Sequence, residues 1–510
     1  MSRRASLPKV CIALGFHEVE TLLSHARREV ESGETFLEFR LDYLAQPMDG
    51  VKAIRRFLEQ RPDCTILATC RRHQNHGRFN GSVEEQIRIL EAAIDAGAIA
   101  IDVEIESAEN ANAGCEHLRG KAWLVLSFHN FGGTPAVEPI LRRMARIPAD
   151  AYKIVTTARK PSDNYRVLSL GRTSPKTPLV MLAMGEPGLP TRVLSPSFGA
   201  VFTYAAPNAA KGTAPGQISA RILRQLYRIE KFTRSAKIYG VIADPVQHSI
   251  SPAVHNRAFQ SKRIDAVYLP FLVQPAQLKD FFTLGEKLPV TGFSVTIPHK
   301  QKILRYLDIV DPLARRIGAV NTVWRKAGRW RGTNTDVDGV LVPLKKRINL
   351  PRSSVLIVGN GGAARGAAFA LRGQGAKVAI VGRNPDRVRA LAKICGADPI
   401  MRETVETQHY DALVHCTPMG MYPHSEECFF RDKIPADVVF DMVYNPLETT
   451  LIRRASAIGR TVVPGLQMFL EQAAHQFEIW TGESAPRSVM ERAAHEALTH
   501  HFDPMINNHR

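Results

Sequence analysis

The chain has 510 residues, 45% hydrophobic and 23% charged, with 67 Lys and Arg against 49 Asp and Glu for a formal net charge of +18. A single core rarely grows past about 300 residues, so more than one domain is required. The ordinary apolar content excludes a disordered or fibrous chain, and no apolar run reaches the roughly 18 residues of a membrane-crossing helix.

Seven cysteines without paired spacing argue for a reducing cytoplasm, and against both a disulfide framework and zinc. The positive charge raises nucleic-acid binding. The basic residues are nevertheless spread along the chain, densest from Arg221 to Lys237 with Arg224, Arg228, Lys231 and Arg234, where the last helix of the first segment and a linker are expected. A positive field would serve anionic small molecules, which accounts for part of the excess only. The segment before the first strand is too short for a targeting peptide. His500, His501 and His509 are expected in a disordered end rather than at a metal.

Eight short apolar runs precede residue 210, at 10–14, 36–41, 65–70, 99–104, 122–128, 151–156, 179–183 and 200–204. Segments of helical spacing separate most of them, such as 83–96 with Ile87, Leu90 and Ala93. This alternation predicts a parallel (β/α)8 barrel. In the second run Leu37, Phe39 and Leu41 alternate with Glu38, Arg40 and Asp42. Strand side chains alternate between faces, so the charged set would point into the barrel and the apolar set towards the helices. Lys153 sits in the apolar run Ala151-Tyr152-Lys153-Ile154-Val155. Desolvation would push its amine towards the neutral, nucleophilic form; the alternative is a structural lysine paired with a carboxylate. The fifth run ends at His129, a candidate acid/base.

Taken together, Glu38-Phe39-Arg40-Leu41-Asp42, Thr69-Cys70-Arg71, Ser127-Phe128-His129, Lys153 and Ala214-Pro215-Gly216-Gln217 resemble the type I dehydroquinate dehydratases over roughly residues 8 to 230. The resemblance implies an imine between Lys153 and a substrate ketone, with His129 removing the adjacent proton and protonating the departing hydroxyl. It implies that Glu38, Arg40 and Arg71 hold ring hydroxyls, and that Arg192 and Gln217 hold a carboxylate. Two departures stand out. A Glu-Gly-Gly stretch of several relatives is Asn75-His76-Gly77 here, so one acidic contact is missing or comes from elsewhere. A serine before Ala-Pro-Gly-Gln is Thr213, which keeps a hydroxyl.

A short linker, 232–236, leads to a second segment without internal repeats or a long flexible tether. There His248-Ser249-Ile250-Ser251-Pro252 offers two hydroxyls before an expected helix. The stretches from Gly292 to Lys300 and from Gly332 to Asp336 supply an amine and a carboxylate. Such a pair can carry a proton to and from an alcohol during hydride transfer; spacing alone leaves a surface salt bridge equally open.

A buried strand from Val355 runs into Gly359-Asn360-Gly361-Gly362-Ala363 and then a helical pattern. Strand, glycine turn and helix start bring backbone amides and the positive helix end to a phosphate. The following strand ends in Gly382-Arg383-Asn384 rather than an acid, and Arg387 lies one turn on. Two guanidiniums there favour a 2′-phosphate, hence NADP over NAD. Asp386 cuts against this, but Asn384-Pro385-Asp386 reads as a helix cap and first turn.

From about Lys237 to Pro486 these residues resemble shikimate dehydrogenase, together with Gly318-Ala319-Val320-Asn321, Cys416-Thr417-Pro418, Asp441-Met442-Val443-Tyr444 and Gly465 to Gln472. The resemblance implies that Ser249 and Ser251 hold a carboxylate and that Lys300 and Asp336 form the proton-transfer pair. It places Thr296, Asn321, Gln472 and Tyr444 with the substrate, and Thr417 and Gly465 with the cofactor. Ser294 stands where many relatives have asparagine, and its role stays open.

The expected organisation is a barrel over 1–232, a substrate-binding domain over 237–342, a Rossmann NADP domain over 343–465, and C-terminal helices over 466–510 that return to the substrate domain and end in a disordered tail. The expected function is bifunctional: dehydroquinate to dehydroshikimate in the barrel, then reduction to shikimate with NADPH. The expected partners are these small molecules, with neither nucleic acid nor membrane and with oligomeric state open. A quinate- and NAD-preferring enzyme and an inactive regulatory homologue are the alternatives. The candidate groups His129, Lys153, Lys300 and Asp336 are all present, against the latter.

Overall fold

The computed structural model describes residues 7–499 apart from 111–113, 209 and 211. His500, His501 and His509 and the amino-terminal 1–6 lie outside the described residues. By packing, the chain divides into two units. The first runs to Ala236 and takes in Leu269–Pro289; the second comprises Lys237–Tyr268 and continues from Val290. The expected boundaries keep 269–289 with the later half of the chain. Within that first unit Ser162 donates its backbone N–H and its hydroxyl to Asp280 at 2.8 and 2.6 Å, while the strand Ala266–Leu272 pairs with Lys237–Ala243 in a sheet of the later half.

The first unit is the expected barrel. Its strands are β1 Val10–Leu14, β2 Phe36–Arg40, β3 Thr65–Thr69, β4 Ala100–Glu104, β5 Trp123–His129, β6 Ala151–Thr157, β7 Leu179–Met184 and β8 Thr203–Ala205. The sheet order is β7-β6-β5-β4-β3-β2-β1-β8. A bridge between Leu179 and Ala200, with Val201 N–H donating to Leu179 O at 2.8 Å, brings the ends together. That bridge explains why regular strand starts at Thr203 and not at residue 200. The helical stretch expected around Arg221 shrinks to the π turn Ile222–Leu226, and the chain breaks direction at Arg228, whose φ is 51°.

Alternation along the strands layers the interior. Phe36, Leu67, Ala100, Val125, Ala151, Val180 and Phe202 pack as one apolar cluster. Two and four residues further along β2 come Glu38 and Arg40, along β4 Asp102 and Glu104, along β5 Ser127 and His129, and two further along β6 Lys153. The C-terminal half of the interior is therefore polar by the same alternation that makes the other half apolar. The opposite face of β2 meets the helices, as Phe39 does against Phe57 of helix Pro47–Gln60 (ring centroids 5.7 Å apart).

The second unit holds two sheets. One has the order β10-β9-β11-β13-β14-β12, from β9 Lys237–Ala243, β10 Ala266–Leu272, β11 Val290–Val295, β12 Ile309–Val310, β13 Thr322–Lys326 and β14 Arg329–Thr333. The other has β15 Ser354–Val358, β16 Lys377–Val381, β17 Asp398–Pro399, β18 Tyr410–His415, β19 Ala436–Asp441 and β20 Thr461–Val463. Its order, β17-β16-β15-β18-β19-β20, is that of a Rossmann sheet, and every pairing in it is parallel. The order reverses between β15 and β18, the crevice where doubly wound folds bind ligands. Helix Asp336–Lys345 leads from one sheet to the other and packs on helix Gly465–Thr481, where Gly339 leaves room for Met468. The latter helix reaches the first sheet through Trp480, whose indole N–H donates to Val323 O at 3.1 Å.

Candidate active sites

The barrel site begins with Lys153 in the middle of β6, only 4% exposed. Its surroundings differ from the expectation of an isolated amine among apolar groups. Nζ donates to Asp102 at 2.8 Å and to the Tyr204 hydroxyl at 2.9 Å, and lies 3.8 Å from Glu38. The inward face of β4 is the reason, since it brings a carboxylate to the amine. Burial works against ionisation of Asp102. Lys153, Arg71 and the hydrogen bonds from Lys153 and Ser127 outweigh it and hold the carboxyl below its usual range.

His129 ends β5 beside Lys153's strand, and its Nδ1 is buried without a hydrogen-bond partner. Burial first, then the charges of Arg71, Lys153 and Arg40, push its pKa well below the ordinary value. The ring is thus a neutral base. Glu38 accepts from Thr69 Oγ1 at 2.7 Å and from Tyr204 at 3.3 Å. Arg40 forks onto Asp42 at 2.9 and 2.8 Å, and Arg71 lies 3.7 Å from Asp102.

Arg192, on helix Leu189–Leu194, is 1% exposed; among the described residues it makes no ion pair, its Nε is unpartnered, and one NH2 donates to Pro215 O at 3.1 Å. Burial alone lowers its pKa to about 10. A buried fork with spare donors suits a carboxylate. The loop through Thr213 is folded over by Gln217, whose Oε1 accepts from the N–H of Thr213 and of Ala214. Glu38, Arg40, Arg71, His129, Lys153, Arg192, Thr213 and Gln217 line one cavity at the C-terminal end of the barrel. Where relatives carry an acid after Arg71, Asn75 turns aside to Glu106 at 3.0 Å. The mouth of the cavity is instead lined by His76, held at φ 60° against Phe131.

Sequence reasoning missed Asp102 and Tyr204. The signal was available: Ala100, Asp102 and Glu104 alternate with Ile101 and Val103 as the residues of β2 do, and Tyr204 stands on the same face as Phe202.

In the second unit Lys300 Nζ donates to Asp336 Oδ2 at 2.7 Å. Their side chains are 19% and 6% exposed, so the pair is no solvated surface bridge. Asn321 Nδ2 donates to Asp336 Oδ1 at 2.7 Å and reaches Gln472 at 3.5 Å, while its own oxygen accepts from Thr335 N–H and the Thr322 hydroxyl. Ser251 opens helix Ser251–Ser261 and donates its N–H to Ser249 Oγ at 3.3 Å. Ser294 has a definite place. It accepts from Tyr268 at 2.6 Å and donates to Gln476 at 2.8 Å, and Gln476 in turn holds Asn321 O and Thr322. Burial drives the Tyr268 phenol up, with bonds to Ser294 and Ser251 opposing and Tyr444 nearby adding to the rise. Tyr444 rests on Phe469 at 5.1 Å. Thr296 follows β11, donating its backbone N–H to Ile242 O at 3.2 Å, on the turn that carries Lys300.

The glycine turn stands at the crevice. Gly359 has φ +127°, a conformation open to glycine, and a Cβ there would lie 3.2 Å from Thr417 Cγ2. Gly361 caps helix Gly362–Gly373, with Ala363 in its first turn. A Cβ at Gly362 would come to 4.0 Å from Lys300 Cδ, which sets the amine beside the turn. At Gly465 a Cβ would strike Val443 O at 2.4 Å. Arg383 and Arg387 are exposed after β16. Asn384 caps helix Pro385–Cys395, its side chain accepting from Arg387 N–H at 3.0 Å. Asp386 pairs with Arg389 at 2.5 Å, which engages the one acid that argued for a ribose diol.

The type I 3-dehydroquinase family model matches residues 10–233. The models of the shikimate dehydrogenase substrate binding domain, shikimate/quinate 5-dehydrogenase and the shikimate 5'-dehydrogenase C-terminal domain match 241–323, 343–418 and 465–495. The chain is 34% identical over 507 residues to the chloroplastic bifunctional 3-dehydroquinate dehydratase/shikimate dehydrogenase of Arabidopsis thaliana, covering 94% of this chain and 83% of that one. It is 38% identical over 283 residues to the shikimate dehydrogenase (NADP(+)) of Methanothermobacter thermautotrophicus, covering 52% of this chain and 98% of that one. A crystal structure of a shikimate dehydrogenase in complex with NADP+ superposes with a TM-score of 0.51 at 36% identity, covering 52% of this chain and 98% of that one.

The depressed pKa of His129 has a measurable sign. The unfolded ring binds a proton near 6.5 and the folded ring only well below it, so stability falls as pH drops below about 6.5. In a histidine NMR titration of the folded protein, His129 is expected to stay neutral at pH 6; a midpoint at or above 6.5 would contradict its enclosure.

Proposed function

The chain belongs to the family of bifunctional 3-dehydroquinate dehydratase/shikimate dehydrogenases, and from that premise we propose how its residues divide the two reactions. The chain dehydrates 3-dehydroquinate to 3-dehydroshikimate and reduces that product to shikimate with NADPH. The barrel (1–232) carries out the dehydration. Residues 237–342 bind the second substrate, residues 343–465 bind NADP, and the helices within 466–499 close back on the substrate domain.

The observation that carries the dehydratase reading is the convergence of Lys153, neutral His129 and buried Arg192 on one cavity. Arg192 and Gln217 hold the substrate carboxylate, while Glu38, Arg40, Arg71 and Thr213 hold its hydroxyls. The Lys153 amine, held in place by Asp102 and Tyr204, attacks the ketone, and water is expelled as an imine forms. The imine acidifies the adjacent carbon. His129 removes that proton and then gives it to the departing hydroxyl. Water releases the product and restores Lys153.

In the second unit Ser249 and Ser251 take the carboxylate, with Tyr444 beside them. Asn321, Thr296 and Gln472 orient the ring. The Lys300–Asp336 pair, 2.7 Å apart, supplies the proton to the oxygen of the ketone being reduced. The residues of the glycine turn fit a dinucleotide: Gly359, Gly361, Gly362 and Ala363 open the helix to its phosphates. Thr417 and Gly465 lie at the crevice, and Arg383, Asn384 and Arg387 meet the 2′-phosphate. NADPH when bound supplies the hydride. Arg383 and Arg387 after β16, where an NAD site would carry an acid at the strand end, favour NADPH over the NAD-dependent alternative. The described cysteines are free, in keeping with a cytoplasmic location.

An assay following NADPH consumption tests both halves. With dehydroquinate as substrate, Lys153→Ala is expected to abolish consumption, and dehydroshikimate is expected to restore it. Borohydride with dehydroquinate should add mass at Lys153; an unlabelled lysine would remove the imine. Lys300→Ala is expected to lower reductase turnover by roughly 10²–10⁴-fold, as for a lost general acid. Arg383→Ala is expected to raise KM for NADPH far more than for NADH; equal effects would reassign the arginine.

A further inference from the structure

Strand β18 ends on His415, which is 2% exposed, and its ring joins a chain of hydrogen bonds across the end of the Rossmann sheet. Nδ1 lies 2.8 Å from Asp441 Oδ1 at the end of β19, and Nε2 lies 2.6 Å from Thr417 Oγ1. Asp441 is fully buried. Its Oδ1 also takes the Val443 N–H at 3.1 Å, and its Oδ2 accepts from the Thr449 hydroxyl at 2.6 Å. Thr417 Oγ1 accepts from Met419 N–H at 3.2 Å.

The carboxylate settles the direction of the first bond, and a neutral ring then sets the second. A carboxylate only accepts, so Nδ1 carries the proton; in the neutral ring Nε2 is then an acceptor. The Thr417 hydroxyl must donate to Nε2, and one of its lone pairs is used by Met419. One lone pair remains, on a residue whose methyl packs against Gly359 at the crevice. We propose that the Asp441–His415 pair is a positioning device that makes Thr417 an obligate hydrogen-bond acceptor in the cofactor groove. Thr417 takes an N–H or O–H donor from the nicotinamide–ribose portion of the dinucleotide. Asp441 and His415 do not touch the ligand; they hold the orientation of the hydroxyl that does.

This rests on the assignment of Thr417 to the cofactor, and the experiment separates the two. Thr417→Val keeps the shape and removes the hydroxyl. It should raise KM for NADPH roughly 3- to 10-fold, the cost of about one hydrogen bond, with kcat within about twofold, and Thr417→Ser should restore the KM. An unchanged KM in Thr417→Val would overturn the assignment of Thr417 itself. Asp441→Ala removes the acceptor that keeps the proton on Nδ1, so the ring can carry it on Nε2 against Thr417 Oγ1 and the threonine then turns its own proton outward. The KM for NADPH should then rise as in Thr417→Val. A normal KM with the tautomer inverted would overturn the positioning device while leaving Thr417 at the cofactor. Should Asp441→Ala fail to fold, 15N–1H correlation of the histidine rings in the unaltered full chain decides, with His415 assigned through His415→Gln. A proton on Nδ1 alone supports the device, and a proton on Nε2 overturns it.

Discussion

An ammonium group held out of water in the middle of a barrel is the constraint around which the first unit is built. Removing such a charge from water costs several kcal/mol unless partners compensate it. Lys153 has Asp102, Tyr204 and Glu38. Asp102 in turn needs Arg71 and Ser127, Glu38 needs Thr69, and Glu104 needs Gln86, whose amide donates to it at 2.6 Å. The polar half of the interior is therefore one connected network, in which truncating a member leaves another charge buried and unmatched. Arg192 is the exception. Its guanidinium is as buried as Lys153, yet no carboxylate of the described chain answers it, and so its charge is free for a substrate anion.

The second unit solves a different problem, that of setting an amine and a carboxylate beside a glycine turn. Lys300 comes from the turn after β11, Asp336 from the start of the helix that leads to the Rossmann sheet, and Asn321 from the end preceding β13. Asn321 ties the carboxylate to the sheet, and Gln476 ties Asn321 to helix Gly465–Thr481. The same helix begins at Gly465, pressed against Val443, and ends with Trp480 bonded to β13. One helix thus spans from the nucleotide crevice to the substrate sheet. The close approach at Gly339 is what lets it lie against the connecting helix.

Much of this could be read before any coordinates. The alternation in Glu38-Phe39-Arg40 is local, since the pleat sends successive side chains to opposite faces, and it told which residues enter the barrel. The glycine turn after β15 and the Asn384-Pro385 cap are likewise local, set by φ angles and by the unpaired amides of a helix start. Boundaries were less legible where pairing is irregular. The start of β8 depends on the bridge from Ala200 to Leu179, and the helix expected near Arg221 gives way to a π turn.

The sequence by itself determined the barrel, the glycine turn and the polar residues of the barrel face, because these follow from periodicity and residue chemistry along a continuous stretch, while the part of each lysine came from the resemblance to known families. Only the tertiary structure decided what surrounds them. Asp102 is 51 positions from Lys153 and Asp441 is 26 from His415, and each pair meets because neighbouring parallel strands bring distant segments into register. Whether a buried amine stands alone or beside a carboxylate, and which way a hydroxyl points, depends on distances of a few ångströms that no spacing along the chain encodes.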